Sequence, residues 1–397
     1  MKILMLTPYL PYPLHSGGQI RSYNLLKNLS QKHQITLFSF IRSGEERKHL
    51  SKLKKFCTKV EVFQRRPAWN PINILLAAFT PYPFLVAIYL SFSVRRAIAR
   101  ELSTGQYDLI HAETFYVMPN LPATLVPTLL VEQTIEYLVY QRFVEDFKLA
   151  LLKPFLYFDV YKIKLWEKFF WRRATSLAAM SAGDKRMMQR SVKRQAVEVV
   201  ANGVDINFFE KSKTSPRPQS SPVVLFVGNF KWLPNKDAAV FLSKKVWPFI
   251  SARLPEAKLW IVGRNPTTEI IQLGQNPKIK VTGDIDDIRQ AFNRAQVLLA
   301  PIRNGRGTKY KVLEAMAAKT PVVTTGLGIE GIDAVNGESV LLAESPKDLA
   351  DKAIAVLTNQ VLAKKLADNA KRLIIQKYSW SVISKRLDRI YQTLGEN

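Results

Sequence analysis

The chain has 397 residues, 47% hydrophobic and 23% charged, a balance that excludes a disordered or fibrous protein and leaves material for two or three domains with real cores. A single cysteine, Cys57, excludes an internal disulfide, and the four histidines (His15, His33, His49, His111) show no ligand spacing, so a reducing compartment and no metal are expected. The net charge of +26 is spread along both halves, which points to anionic partners, a diphosphate or an anionic lipid surface, and away from the charge patch of a nucleic-acid binder.

Lys2 to Thr7 reads as a first strand, because prolines follow at once and leave no room for a signal peptide. A loop from Pro8 to Gly18 leads to a helix (Gln19 to Gln31), a strand (Gln34 to Phe40), a helix (Glu45 to Lys55) and a strand (Lys59 to Phe63). Pro67 to Val94 is uncharged and long enough to span a bilayer. Its prolines favour two short buried helices flanking a turn, with an interfacial membrane contact as the other reading. Strands Leu109 to Ala112 and Thr128 to Glu132 precede an aromatic, basic helical region (Tyr137 to Arg173) and a strand at Ser176 to Met180. The βαβα order implies a parallel sheet with ligands beyond the carboxyl ends of its strands.

The polar, Pro- and Ser-rich run from Lys211 to Pro222 is the linker candidate, within a connection drawn at 201–222. A second αβ series follows: strand Val223 to Gly228, helix Lys236 to Ala252, strands Lys258 to Gly263 and Lys278 to Thr282, helix Asp286 to Arg294 and strand Val297 to Pro301. A Gly-punctuated loop then opens onto a helix (Lys309 to Ala318) and a strand from Pro321. Strand Ser339 to Leu342 and helices within Pro346 to Gln376 complete it, and a terminal helix within 377–397 is expected to cross back to the first domain. The expected fold is therefore α/β, with two Rossmann-like doubly wound domains, 1–200 and 223–376, facing across a cleft.

Several stations have the residue types that chemistry needs. In the loop after Pro301, Gly305 and Gly307 permit tight turns, the helix start offers free amides to an anion, and Arg303, Arg306, Lys309 and Lys311 crowd cations there, with Gly307 and Thr308 in the turn itself. Glu314, the one acid in this stretch, is placed to accept hydrogen bonds from sugar hydroxyls while the cations hold a diphosphate, as a nucleotide-sugar site would. Gly228, Lys231 and Lys236 follow the second domain's first strand, where Lys neutralises phosphate or is simply solvated. Gly17 and Gly18 precede a helix as a ligand-approaching turn, or as an ordinary one. His111 and Glu113 point to one side at a strand's carboxyl end, suited to an acceptor hydroxyl, although a lone His there is more often structural. Asn202 opens a turn (Asn202 to Asp205) that presents amides to a ligand or merely connects.

Taken together, the N-terminal strand with its GG, DLIHAE, the NGVD turn, VGNFKWLPNKDA, WIVGR, VTGDIDDI, KVLEAMAAKTPVVTT and the YSW-led last helix resemble the GT-B family 4 retaining glycosyltransferases over nearly the whole chain. The resemblance implies a nucleotide-sugar donor held mainly by the second domain, an acceptor held by the first and no cofactor or metal. It implies Lys236 at the donor diphosphate, Glu314 at the ribose hydroxyls and the Gly283, Asp284, Ile285 turn near the base, with Gly263 and Arg264 alongside. It makes His111, Glu113, Lys236 and Arg306 the catalytic candidates. Family members often carry an acid where this chain has Arg306, and the GxGTKxK variant marks a subgroup in which Lys309 and Lys311 supply cations beside the phosphates. Many relatives have Arg at Asn229 and a second His at Glu113.

The implied activity is transfer of a sugar to a glycan or lipid-linked acceptor in polysaccharide or glycoconjugate synthesis, in the cytoplasm or peripherally at the cytoplasmic membrane face. A sugar-nucleotide epimerase or phosphorylase on the same fold, and a non-enzymatic nucleic-acid or membrane binder, are the alternatives. For the basic aromatic stretch Leu149 to Arg173, membrane contact and packing on its own domain both stand.

Overall fold

The computed structural model describes all residues except Lys193, 211–220, Arg306 and Asn397. It divides into two compact units, Met1–Ala201 with Ile383–Asn397, and Asn202–Val382. Each is built on one all-parallel sheet.

In the first unit the strands are β1 (Lys2–Thr7), β2 (Gln34–Ile41), β3 (Lys59–Gln64), β4 (Leu109–Glu113), β5 (Thr128–Glu132), β6 (Ser176–Ala179) and β7 (Val197–Val199). They lie in the order β3-β2-β1-β4-β5-β6-β7. Strand order reverses between β1 and β4, so the crevice at their carboxyl ends is where such a sheet takes ligands. Near-continuous runs of buried residues in β1, β2, β4 and β5 fit strands covered on both faces.

The second unit carries β8 (Val223–Val227), β9 (Lys258–Val262), β10 (Ile279–Thr282), β11 (Val297–Ala300), β12 (Val322–Thr324) and β13 (Leu341–Leu342), ordered β10-β9-β8-β11-β12-β13. Its order reverses between β8 and β11. The loops after those two strands are the ones that carry Gly228 to Lys236 and Arg303 to Lys311.

Four local expectations change. Glu45 to Lys55 is not one helix but a 3-10 turn (Gly44–His49) and a single α turn (Leu50–Leu53), because only Leu53 has a core to enter. Helix Phe84–Tyr89 is buried as expected, but helix Pro71–Phe79 buries only Asn73 and leaves its apolar side chains outside. Strand β7, too short and polar to announce itself, extends the first sheet. Of the span drawn as a linker, 211–220 lies outside the described residues. Its first part, with helix Ile206–Glu210, belongs to the second unit, where Phe209 meets the Phe292 ring and Arg289 donates to the Phe208 carbonyl.

The terminal helix Trp380–Gly395 enters the first unit from Ile383 onward. There Asp388 accepts from Lys32 Nζ at 2.7 Å and lies 2.8 Å from His33 Nε2, and Arg386 donates to the Val199 carbonyl. At its other end, within the second unit, the NGVD turn pairs with the YSW segment: Val204 N donates to the Tyr378 carbonyl and Trp380 N to that of Val204. A Cβ on Gly203 would sit 2.8 Å from the Trp380 ring, so that turn requires glycine.

Candidate active site

In the second unit the first turn of helix Leu233–Phe241 abuts the Gly-rich loop after β11. A Cβ on Gly305 would lie 3.1 Å from Pro234 Cγ, Lys311 Nζ donates to Asn235 Oδ1 at 2.7 Å, and Arg303 pairs with Asp237 at 2.5 Å while stacking over Phe241. Lys236 is thereby carried to the mouth of the loop. Its half-buried side chain makes no hydrogen bond or ion pair among the described residues, so its charge is available to a ligand. Arg303, by contrast, is committed to Asp237.

The loop is shaped by Gly305 (φ 93°) and Gly307 (φ 82°), both in the region that favours glycine. Its second turn is held by an acid that lies beyond the stretch read for this loop. Glu330, just after the 3-10 turn Gly326–Ile329, accepts from Gly307 N at 2.9 Å and lies 3.6 Å from Lys309 Nζ. Lys309 also donates to the Gly307 carbonyl at 2.5 Å. Burial lowers its pKa, against the pull of Glu330. The Thr308 hydroxyl is buried and has no hydrogen-bond partner among the described residues. Arg306 lies outside the described residues.

Helix Tyr310–Ala317 starts at this loop, and its N-cap residue Lys309 makes no side-chain cap hydrogen bond. Lys311 is buried with its ammonium over the Phe226 ring, and burial together with the neighbouring Lys309 charge brings its pKa down to about 7. Glu314, one turn on and half-buried, is pushed up to about 7 by burial, with Lys311 opposing. Both groups change charge near neutrality.

The other second-unit stations lie at the same strand ends. Gly263 has φ 153° and its Cβ would fall 1.6 Å from the Gly228 carbonyl oxygen, so the chain at 263 can approach that backbone only as glycine. Lys231 is exposed, and its amide donates to Asn229 Oδ1, which also receives Asn265 Nδ2. Arg264 pairs with Asp284 at 3.0 Å, and Gly283 and Ile285 flank that contact half-buried. Asn202 stands half-exposed at the start of the NGVD turn.

In the first unit a chain of polar groups crosses the carboxyl ends of β1, β4 and β5. Glu113 Oε2 accepts from Gln133 at 2.7 Å, and Gln133 accepts from the Tyr9 hydroxyl at 2.7 Å. Gly18 admits both: its Cβ would lie 1.8 Å from the Tyr9 hydroxyl and 2.5 Å from Gln133 Oε1. Gly17 starts the helix, whose Ser16 cap accepts from Gln19 N. His111 Nε2 is 3.1 Å from Glu113 Oε1, and His111 Nδ1 makes a short hydrogen bond with the Tyr391 hydroxyl. A carboxylate can only accept, so Nε2 carries a ring proton. Arg21 Nε lies 3.5 Å from Glu113. Burial would raise the Glu113 carboxyl, but Arg21, His111 and Gln133 overcome it and hold it at about 2.

His111, Glu113 and Arg21 are all fully buried. Replacing Tyr391 with Phe leaves His111 Nδ1 buried and unpaired, and a loss of about 1–3 kcal/mol of stability is expected by denaturant titration.

Two family models match the chain, "Glycosyltransferase Family 4" over residues 15–208 and "Glycosyl transferases group 1" over residues 221–359. The chain belongs to the family 4-like GT-B glycosyltransferases. Among the relatives of this glycosyltransferase, the phosphatidyl-myo-inositol mannosyltransferase of Mycobacterium tuberculosis is 28% identical over 315 residues, 76% of this chain and 78% of the relative. A 44.6 kDa protein of the cps region of Klebsiella pneumoniae is 23% identical over 391 residues, 95% of this chain and 96% of that one. The glycosyltransferase shares its fold with sucrose-phosphate synthase from Thermosynechococcus elongatus, with a TM-score of 0.73, 17% identity and 99% of each chain covered. It shares it also with HepE from Anabaena in complex with UDP and glucose, with a TM-score of 0.65, 18% identity, and 99% and 100% of the two chains covered.

Beside the residues expected from its sequence, the enzyme thus brings Glu330 and Asn235 to the β11 loop, and Gln133, Tyr9, Arg21 and Tyr391 to the first-unit chain. Among the described residues no group of His, Cys, Asp and Glu is placed to hold a metal ion.

Proposed function

We propose that this glycosyltransferase moves a sugar, with retention of anomeric configuration, from a nucleoside-diphosphate sugar to a lipid-linked or glycan acceptor at the cytoplasmic face of a membrane. The observation that carries the donor assignment is the start of helix Tyr310–Ala317, whose N-cap residue Lys309 makes no side-chain cap hydrogen bond, with Lys236 nearby and the Thr308 hydroxyl buried, both side chains without a partner among the described residues. That is a cationic, amide-rich cluster suited to a diphosphate. The HepE structure, whose complex holds UDP and glucose, supports this reading, as does the mannosyltransferase, whose name gives a phosphatidyl-inositol acceptor.

In the proposed reaction the bond from the sugar's anomeric carbon to the diphosphate oxygen breaks, and the acceptor oxygen bonds to that carbon from the same face. The acceptor proton passes to the departing diphosphate. Lys236, Lys309 and the helix amides stabilise the charge that grows on the leaving group, and Glu314 accepts from the ribose hydroxyls. Glu330 fixes the amide of Gly307 and the ammonium of Lys309, a positioning role. The first unit holds the acceptor, and His111 with Glu113 sets Gln133 and Tyr9 at its strand ends.

Donor affinity is expected to peak near pH 7. Glu314, raised to about 7, is lost as an anionic acceptor as pH falls below that value, and Lys311, lowered to about 7, is lost as a cation as pH rises above it. Calorimetric affinities for UDP- and GDP-sugars across about two pH units on either side of 7 test this, and Glu314→Gln should abolish the acid limb alone. A flat profile for the intact enzyme would remove Glu314 and Lys311 from the donor site.

A further inference from the structure

In water, a helix is expected to bury its apolar side chains and expose its polar ones. Helix Pro71–Phe79 does the reverse. Asn73 is its one buried residue, held by Arg66 Nε and by the Pro67 and Ala68 carbonyls, while Phe79 is 82% exposed and Ile72, Ile74 and Leu75 also face out. Trp69, just before it, is 79% exposed.

The long helix Lys153–Arg173 is joined to this element. Lys162 Nζ donates to the Ala77 and Thr80 carbonyls at the end of the short helix, Trp166 Nε1 donates to the Pro81 carbonyl, and Asp159 accepts from Phe84 N. Val160, Ile163, Glu167 and Phe170 turn into the core. On the opposite face Phe155, Phe158, Tyr161, Leu165 and Phe169, spaced by three or four residues, form one exposed apolar stripe. Leu151, at the helix entry, is 89% exposed.

Cations outnumber acids along these two elements, with the exposed Glu145 and Asp146 just before the long helix. No acid occurs between Glu61 and Glu101. Of the two in the long helix, Glu167 is fully buried and Asp159 is spent on the Phe84 amide. Lys164, Arg172 and Arg173 remain exposed on the same helix. No helix among the described residues is long and apolar enough to cross a membrane.

The geometry points to a composite docking surface, formed jointly by Pro71–Phe79 and Lys153–Arg173, that enters the headgroup layer of an anionic phospholipid bilayer. Apolar side chains that project outward match the acyl boundary, and the surrounding cations match anionic headgroups. The inference deepens the membrane location proposed above, but its test reads lipid binding with neither donor nor acceptor, so the two stand or fall separately.

The full chain should co-sediment with vesicles of equimolar phosphatidylcholine and phosphatidylglycerol, and about tenfold or more weakly with phosphatidylcholine alone. Leu75→Ser with Phe79→Ser on the short helix, and Phe155→Ser with Phe158→Ser on the long one, should each weaken binding to the anionic vesicles about tenfold. All four positions are exposed, so circular dichroism and melting temperature should not change. Absence of binding to anionic vesicles overturns the proposal. So does loss confined to the long-helix variant, which removes the composite surface. A dimer by sedimentation velocity that both variants dissolve, without vesicle binding, assigns the surface to a second copy instead.

Discussion

Lys236→Ala is expected to lower kcat/KM by about 10²–10³, roughly 3–4 kcal/mol of transition-state stabilisation, in an assay of sugar transfer. The side chain is half-buried, and among the described residues it has no partner whose loss would be felt by the fold. Its three neighbours Pro234, Asn235 and Asp237 are the ones that lock its turn onto the β11 loop, so the backbone keeps its place when the ammonium is removed. The melting temperature should therefore stay within about 2 °C of the parent. A variant that keeps near-normal turnover would show that the diphosphate is neutralised elsewhere.

Glu314→Ala is the second large effect. A site built to accept hydroxyl protons loses discrimination when that acceptor is deleted, and a fall of about 10²-fold or more in kcat/KM is expected, mostly as a raised KM for the donor. Stability should move the other way. The folded pKa of Glu314 is raised to about 7 from an ordinary 4.5, so its contribution to folding is fully present only below the unfolded value and is lost as pH rises through about 7. At pH above 7 the carboxylate is a burden to the fold, and both Glu314→Ala and the isosteric Glu314→Gln should melt no lower than the parent there. A marked drop in melting temperature at that pH, with donor affinity intact, would make Glu314 a structural residue.

The parallel sheets were legible because each inner strand is a short apolar run bounded by Gly, Pro or Asn, and the βαβα alternation leaves few other arrangements. Val223 to Gly228 and Val297 to Pro301 could be placed this way, and with them the two loops that carry Lys236 and Lys309. Legibility failed where the deciding partner is remote in sequence. Glu330 meets Gly307 only because β12 returns beside β11, and Tyr391 reaches His111 only because the terminal helix packs on the first unit. The pattern of Pro71–Phe79 misled for a different reason. Hydrophobicity predicts burial in water, and this otherwise apolar helix buries its asparagine and leaves its apolar side chains exposed, the reverse pattern that motivates the proposed bilayer contact.

Glu113 illustrates a further limit. Two polar residues alternating on a strand suggest reactivity, but sequence does not reveal the buried Arg21 and Gln133 that keep this carboxylate ionised far below neutral pH. Its proton affinity is too low for a general base near pH 7, which fits a role in holding Gln133 and Tyr9 rather than in taking the acceptor's proton.

The loops after β8 and β11 are proposed to bind a nucleoside-diphosphate sugar. Titration of the full chain with UDP, GDP, ADP and their common sugars, followed by calorimetry and by the rise in melting temperature that selective binding produces, tests it most directly. Saturable binding of one base family is expected, weakened at least about tenfold by Lys236→Ala and again by Glu314→Ala. No binding of any nucleotide, or undiminished binding by both variants, would contradict it.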